Sequence, residues 1–342
     1  MKYVKYVMEQ AGHKGTEMGP ELEISKIIHA EKYRNRGESF EEMCDRIAHT
    51  LSDNKEHYDG LIDILMDQRF LPGGRIQKDI GSVFSTTAFN CFVSGTIEDS
   101  MEGIMLALGE AAETMRRGGG IGYDFSTLRP RGDIIRTLNS KASGPISYMD
   151  IFDALCGTIQ SAGHRRGAQM GVLRVDHPDI LEFINVKSDP SRLTRFNVSV
   201  AVTDDFMKAV KDDTFYYTQF NGQKYSQLRA SKVWDMIMKN TWDHAEPGVL
   251  FIDRINEQNP LYYCERIATT NPCGEVPLPP YGACLLGSFN VVKYLKKNSS
   301  CDTIRHWEID LPLLKRDIPT VVRGMDNVIE NTNFPLDKQH RS

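Results

Sequence analysis

Residues 271 to 284 read Asn271-Pro-Cys-Gly-Glu-Val-Pro-Leu-Pro-Pro-Tyr-Gly-Ala-Cys284, and this stretch decides how the rest of the chain is read. Prolines at 272, 277, 279 and 280 lack a backbone N–H and disfavour helix at and before their own positions. The segment is therefore expected to be an extended loop. Side chains alternate faces along an extended chain, so Asn271, Cys273 and Glu275 are expected to converge on one side. An amide, a thiol and a carboxyl at that spacing form a compact reaction kit. Cys284 follows eleven positions after Cys273, beyond Tyr281 and Gly282, where the loop is expected to fold back. Asn-Pro-Cys-Gly-Glu alone fits a small buried thiol better than a nucleophile; the longer string changes that balance.

The chain has 342 residues, enough for a large core and one or two domains. Its 40% apolar and 25% charged content is that of an ordinary soluble protein. The formal net charge of −5 gives no general attraction to nucleic acid or to anionic membranes. No apolar run approaches the roughly 18–20 residues of a membrane span, and the N-terminus lacks the pattern of a secretory signal. The cytoplasm is the expected compartment. Seven cysteines stand at 44, 91, 156, 264, 273, 284 and 301. The odd number and the length argue against a secreted disulfide framework. No Cys-x-x-Cys occurs, so no structural metal is expected. Reduced thiols, with any disulfide transient and catalytic, fit better.

Local patterns give the elements. Residues 1–25 read as a loose polar arm. Ser39 and Glu42 form a capping box, followed by Phe40, Met43, Ile47 and Leu51 at helical spacing. Helices are expected near 57–68, 146–162, 204–211 and 231–243, the last capped by Ser231. Asp99 and Ser100 cap another, with Met101, Ile104, Met105, Leu108, Ala112 and Met115 as its apolar stripe. Gly118-Gly-Gly-Ile-Gly122 ends that helix and lacks the spacing of a phosphate or dinucleotide loop. Residues 196–202, 214–220 and 248–252 read as strands. Strands alternating with helices indicate an α/β architecture. Cys44 and Cys156 lie on helical stripes and are expected in the core, and Cys264 and Cys301 are read the same way.

The 271–284 string resembles the active-site loop of ribonucleotide reductases. The eleven-residue interval to Cys284 resembles the adenosylcobalamin-dependent class II form; class I large subunits have a longer interval. The resemblance runs from about Ile28 to Leu336. It is carried by Phe70-Leu-Pro-Gly-Gly-Arg75, Phe89-Asn-Cys-Phe-Val93, Gly95-Thr-Ile-Glu-Asp-Ser-Met101, the run from Gly118 to Gly132, Ala142-Ser-Gly-Pro-Ile-Ser147, Arg165-Arg-Gly-Ala168, Asp176-His-Pro-Asp179, Phe196-Asn-Val-Ser-Val200 and Ala245-Glu-Pro-Gly-Val249. It implies the first half of a ten-stranded α/β barrel with an N-terminal helical region. The implied layout is the arm at 1–25, the helical region at 26–85, and the N-terminal half-barrel at 86–342 with the thiol loop through its centre. Relatives continue well beyond the equivalent of Glu275, so the C-terminal half is expected to come from elsewhere.

The resemblance also implies roles. Cys273 matches the thiyl radical site, Glu275 the carboxylate that takes the 3′-OH proton, and Asn271 the amide that hydrogen-bonds the ribose hydroxyls. A base such as Glu275 works best when burial brings its pKa towards neutrality. Cys91 and Cys284 match the redox pair, which a thioredoxin-like dithiol reductant would restore. Gly73 and Gly74 would let backbone N–H groups approach substrate phosphate, beside Asn90. Two loops, roughly 129–144 and 187–195, would read a nucleoside triphosphate effector through Asp99, Arg129, Arg131, Lys141 and Arg192. A homodimer is a further implied partner. The alternatives are a class I-type large subunit using a radical from a partner subunit, and a non-catalytic nucleotide-binding or oligomerisation remnant.

Overall fold

The computed structural model describes residues 19–135, 137–159, 167–297 and 307–341. The expected arm over 1–18, the end of the helix past 159, Arg165 and Cys301 lie outside the described residues. The chain divides into two units: one runs to Asn90 and takes in Leu285–Asn333, the other comprises Cys91–Cys284 and the segment from Phe334 onward. The helical unit thus recovers 285–333, which the sequence had assigned to the half-barrel.

In the helical unit, the Ser39 hydroxyl accepts from the Glu42 N–H and the Glu42 carboxylate accepts from the Ser39 N–H, so the capping box starts helix Phe40–Leu51. The next helix, Lys55–Met66, begins at Asn54, whose side chain accepts from the His57 N–H. Phe40, Met43, Cys44, Ile47, Leu61 and Leu65 bury their apolar stripes together with Val321 and Val328 of helix Leu311–Asn331. The first helix, Glu23–Lys32, begins inside the stretch read as arm. Arg69 is buried and ion-paired to Asp317 at 2.6 Å and to Asp63, while the Tyr294 hydroxyl donates to Asp317 at 3.0 Å.

The other unit is built on a six-stranded sheet. Its strands are β1 (Cys91–Val93), β2 (Gly120–Asp124), β3 (Gln169–Arg174), β4 (Phe196–Val202), β5 (Gly248–Phe251) and β6 (Ala283–Cys284). Strands β1 to β5 are parallel neighbours in sequence order, and β6 pairs antiparallel with the free edge of β1. Helices Met101–Arg116, Pro145–Thr158 and Ala230–His244 lie in the crossovers. One face of the sheet carries Tyr123, Phe196 and Gln169 and packs with Phe125 and Phe152. The other face, from register, carries Cys91, Gly120, Gly122, Met170, Val172, Asn197, Ser199, Ala201 and Leu250. Met170, Val172, Ala201 and Leu250 pack there with Ile252 and Ile267.

Strand β2 is a correction to the sequence reading, in which the glycine run only ended a helix. The helix stops at Arg116, Gly118 takes a positive φ of 97°, and Gly120 and Gly122 enter the middle of the sheet. Ser231 does not cap its helix: Arg229 is the N-cap, and the Ser231 hydroxyl donates to Asp213 at 2.6 Å.

Candidate active site

The 271–284 stretch is a hairpin rather than a plain extended loop. Thr269–Thr270 pairs antiparallel with Pro277–Leu278. Between them Asn271-Pro-Cys-Gly274 makes a β-turn, with the Gly274 N–H donating to the Asn271 carbonyl at 3.0 Å and Gly274 at φ 82°. Proline at the second position and glycine at the fourth suit such a turn. The Asn271 Oδ1 accepts from the Val276 N–H at 3.0 Å, which ties the turn across its base. The expected alternation is therefore broken: Asn271 is fully buried, while Cys273 and Glu275 are exposed. Glu275 does not have the burial expected for a tuned base. Asn271 Nδ2 is buried and has no hydrogen-bond partner among the described residues. One half of this amide holds the turn, and the other half is left as a donor.

The hairpin sits on the inner face of the sheet because β2 presents glycines, not side chains, beneath it. A Cβ on Gly122 would overlap the Thr270 carbonyl oxygen, and one on Gly120 would lie 2.8 Å from Cγ of Pro272. Asn197 Nδ2 donates to the Pro272 carbonyl at 2.8 Å, the peptide that leads into Cys273. Sequence reading assigned no role to Gly120, Gly122 or Asn197. The signal for the glycines was their run; the signal for Asn197 was a polar side chain in a strand of apolar ones.

Register places Cys284 directly opposite Cys91. Opposed residues on antiparallel strands have Cα atoms about 4.5–5.5 Å apart, within the roughly 4.4–6.8 Å span of a disulfide. Both are buried thiols that are not joined in a disulfide. A hydrogen bond with Cys91 and then burial push the Cys284 thiol well above the ordinary range, and the Glu275 charge adds to this. Burial likewise raises Cys44 and Cys156. Cys264 departs from expectation: it is exposed, with its sulfur 3.5 Å from the Leu261 carbonyl.

The other residues singled out in the sequence fall as follows. In the helical unit the Gly73 N–H donates to the Leu286 carbonyl at 2.7 Å, so that amide is already paired. A Cβ on Gly73 would lie 3.0 Å from Nδ2 of Asn90. Asn90 is buried, and its Oδ1 has no partner among the described residues. A Cβ on Gly74 would lie 2.5 Å from the Tyr33 ring. In the sheet unit Asp99 and Arg129 pair with each other at 2.8 Å. Arg131 reaches Glu182 at 3.2 Å and Arg192 reaches Asp150 at 2.9 Å and Glu182 at 3.7 Å, so Glu182 joins the two loops. Lys141 is exposed on Ser140–Lys141, which pairs with Ile134–Ile135. Among the described residues no group of three or more His, Cys, Asp or Glu could hold a metal ion. No helix among them is long and apolar enough to cross a membrane.

A half-barrel sheet that seats a thiol-bearing hairpin on one face, with two more thiols in register at its edge, defines a class of α/β barrel domains built around a cysteine loop. Comparison with known proteins identifies the family: the model described as "Ribonucleotide reductase, barrel domain" matches residues 89–342, and the chain belongs to this family. The chain is 36% identical over 322 residues to the vitamin B12-dependent ribonucleoside-diphosphate reductase of Mycobacterium tuberculosis, covering 91% of this chain and 45% of that protein. It is 37% identical over 304 residues to the protein of the same name from Thermoplasma acidophilum, covering 88% of this chain and 38% of that one. A more distant match, 26% identical over 216 residues, is the ribonucleoside-diphosphate reductase subunit alpha of Helicobacter pylori, covering 55% of this chain and 27% of that subunit. The chain spans less than half the length of these curated relatives.

Proposed function

We propose that the chain supplies the thiol-bearing half-barrel of an adenosylcobalamin-dependent ribonucleotide reductase, acting on ribonucleoside diphosphates. The observation that carries this reading is the register of β6 against β1, which sets Cys284 opposite Cys91 on the same sheet that seats the Cys273 hairpin. Residues far apart in sequence meet there in the geometry a dithiol reductant needs.

The chemistry follows from the groups present. Hydroxide is a poor leaving group from C2′, and a radical at C3′ eases its departure. Cys273, as a thiyl, takes the C3′ hydrogen atom and returns it at the end. Glu275 takes the 3′-OH proton. Asn271 offers its free Nδ2 donor to a ribose hydroxyl. Cys91 and Cys284 give two electrons and two protons: the 2′-OH leaves as water, a C2′–H bond forms, and the pair becomes a disulfide. An external thioredoxin-like dithiol restores it by exchange. Adenosylcobalamin, when bound, supplies the one-electron chemistry that converts the Cys273 thiol into its reactive form. The exposure of Cys273 at a turn leaves the room that so bulky a group needs. The names of the relatives from M. tuberculosis and T. acidophilum support this cofactor over a radical from a partner subunit, as does the short Cys273–Cys284 interval.

Asp99, Arg129, Arg131, Lys141 and Arg192 are assigned to a nucleoside triphosphate effector. The three arginines would exchange their present carboxylate partners for phosphate. Gly73, Gly74 and Asn90 are assigned to the substrate, and the cytoplasm is the assigned compartment. The test is turnover in an assembly that includes the second half-barrel, with adenosylcobalamin and a dithiol. Cys273→Ser is expected to abolish product, and Cys91→Ser or Cys284→Ser to block normal turnover while sparing radical generation at Cys273, because one thiol of the pair cannot supply two electrons and two protons. Product formation by Cys273→Ser at the wild-type rate would remove Cys273 from its role.

A further inference from the structure

Strand β6 has only two residues and lies at the edge of the sheet. So short a strand does little to fix its own register, and a slip of one residue turns its side chains to the other face. Cys284 would then point away from Cys91. What holds the register lies just upstream, at Tyr281.

We propose that Tyr281, Glu110 and Lys338 form a clamp that fixes β6 and so positions Cys284 against Cys91 for thiol–disulfide exchange. The proposal rests on the reading of these two cysteines as the redox pair. Tyr281 has φ 66°, a conformation uncommon for a bulky residue and one that persists only where the surroundings impose it. Its ring lies against Gly95, where any Cβ would overlap the phenol. Its hydroxyl donates to Glu110 Oε2 at 3.2 Å. Lys338 Nζ donates to the same hydroxyl at 3.0 Å and to Glu110 Oε1 at 2.8 Å, and stands 5.1 Å from the ring centroid. The Glu110 side chain is largely buried on helix Met101–Arg116. Hydrogen bonds with Glu110 and then Tyr281 hold the Lys338 ammonium well above its ordinary pKa. The segment carrying Lys338 is itself anchored to that helix, since Gln339 Nε2 donates to Thr114 Oγ1 at 3.2 Å.

From the clamp the chain passes straight into the ladder. The Gly282 carbonyl accepts from the Val93 N–H at 2.8 Å, and the next rungs set Ala283 opposite Phe92 and Cys284 opposite Cys91. The clamp thus acts on the thiols by placing them; it touches neither sulfur.

The test is the equilibrium between the chain and oxidised dithiothreitol. In that exchange the two cysteine thiols are oxidised to the Cys91–Cys284 disulfide, and the reagent's disulfide takes up their two protons and two electrons. The product is quantified by mass spectrometry after acid quenching. Wild type is expected to form this disulfide. Tyr281→Phe and Lys338→Met are each expected to lower its equilibrium constant at least fivefold, about 20 mV at 29.6 mV per tenfold for two electrons. Gly95→Ala is expected to lower it further. Alkylation of Cys273 in the same samples should stay within twofold of wild type, which a general loosening would not allow. Lys338→Met changes a half-exposed side chain, so it keeps the test alive if Gly95→Ala fails to fold. An unchanged equilibrium constant in Tyr281→Phe and Lys338→Met overturns the clamp while leaving the pair intact. Cys273 alkylation that changes as much as the equilibrium constant also overturns it. A wild-type chain that forms no Cys91–Cys284 disulfide overturns the redox-pair reading, and the clamp with it.

Discussion

The two faces of the half-barrel sheet use the same strands in opposite ways. On the outer face Tyr123, Phe125, Phe152 and Phe196 are buried, with ring centroids 4.9–6.1 Å apart. Even the polar groups there are paired: the Tyr123 hydroxyl donates to Gln169 Oε1, and Gln169 Nε2 donates to the Phe152 carbonyl. On the inner face, β2 presents Gly120 and Gly122, and the Thr269–Leu278 hairpin lies directly on them. The outer face is filled with rings that hold the sheet together. The inner face is packed by Met170, Val172, Ala201 and Leu250 farther along, but is opened at Gly120 and Gly122 so that a second backbone can carry a thiol close to it. Stability and chemistry are thereby assigned to opposite sides of the same residues' backbone.

If that division holds, substitutions on the two faces should fail differently. The largest effect is expected from Phe152→Ala, which removes a ring from the centre of the outer cluster. Such a change costs about 3–5 kcal/mol, read as a lower denaturant midpoint with Cys273 alkylation unchanged below the transition. The inner-face counterpart, Gly122→Ala, adds a single methyl where the Thr270 carbonyl stands. Overpacking of this kind costs about 1–3 kcal/mol. Here the hairpin has to move, so Cys273 alkylation should change under conditions where the sheet is still folded. A Gly122→Ala protein with wild-type stability and wild-type alkylation would show that the close approach is not what the glycine is for.

The difference between the faces also explains what could be read from the sequence. Outer-face and helical features are local and periodic: the Ser39–Glu42 capping box, the stripe from Phe40 to Leu51 and the alternating Phe196–Val202 strand are all present as expected. The inner face has no such pattern. A glycine has no side chain to mark its face, so β2 read only as a helix stop. The reason for Gly122 is Thr270, which no short window of sequence contains. The thiol residues were legible because the whole Asn271–Cys284 string is distinctive, and the structure brings Cys91 and Cys284 into register. Their local geometry was misread: alternation was applied across Asn271-Pro-x-Gly274, a string that itself signals a turn. The arginine partners were also invisible, since the Asp150–Arg192 and Glu182–Arg131 pairs depend on how the crossovers pack.

Asn197→Ala offers a finer cut. It removes the hydrogen bond that the Asn197 side chain donates to the Pro272 carbonyl. The expected loss of stability is about 1 kcal/mol, the usual worth of such a bond. Cys273 alkylation, followed by intact mass, is expected to accelerate because the peptide before it is released. No acceleration would mean that the glycines alone seat the hairpin.

The smallest effect separates the thiols by proton rather than by packing. Cys273 is exposed, whereas Cys284 is buried, hydrogen-bonded to Cys91 and held well above the ordinary thiol pKa. A raised folded value means that the folded state keeps the proton longer than the unfolded chain does. The resulting stability is fully present below the unfolded thiol value of about 8.5 and is lost as pH climbs from there toward the folded value. Between pH 7 and pH 9 wild type should therefore lose under about 1 kcal/mol more than Cys284→Ser, by the same linkage. Denaturant midpoints at the two pH values measure it. The reactivity counterpart is sharper: iodoacetamide at pH 8 should label Cys273 and leave Cys284 unlabelled, and raising the pH to 9 should not release Cys284 while the sheet is folded. Labelling of Cys284 at the rate of Cys273 would mean that the β6 edge opens freely, and that the inner face holds its redox pair no more firmly than its exposed thiol.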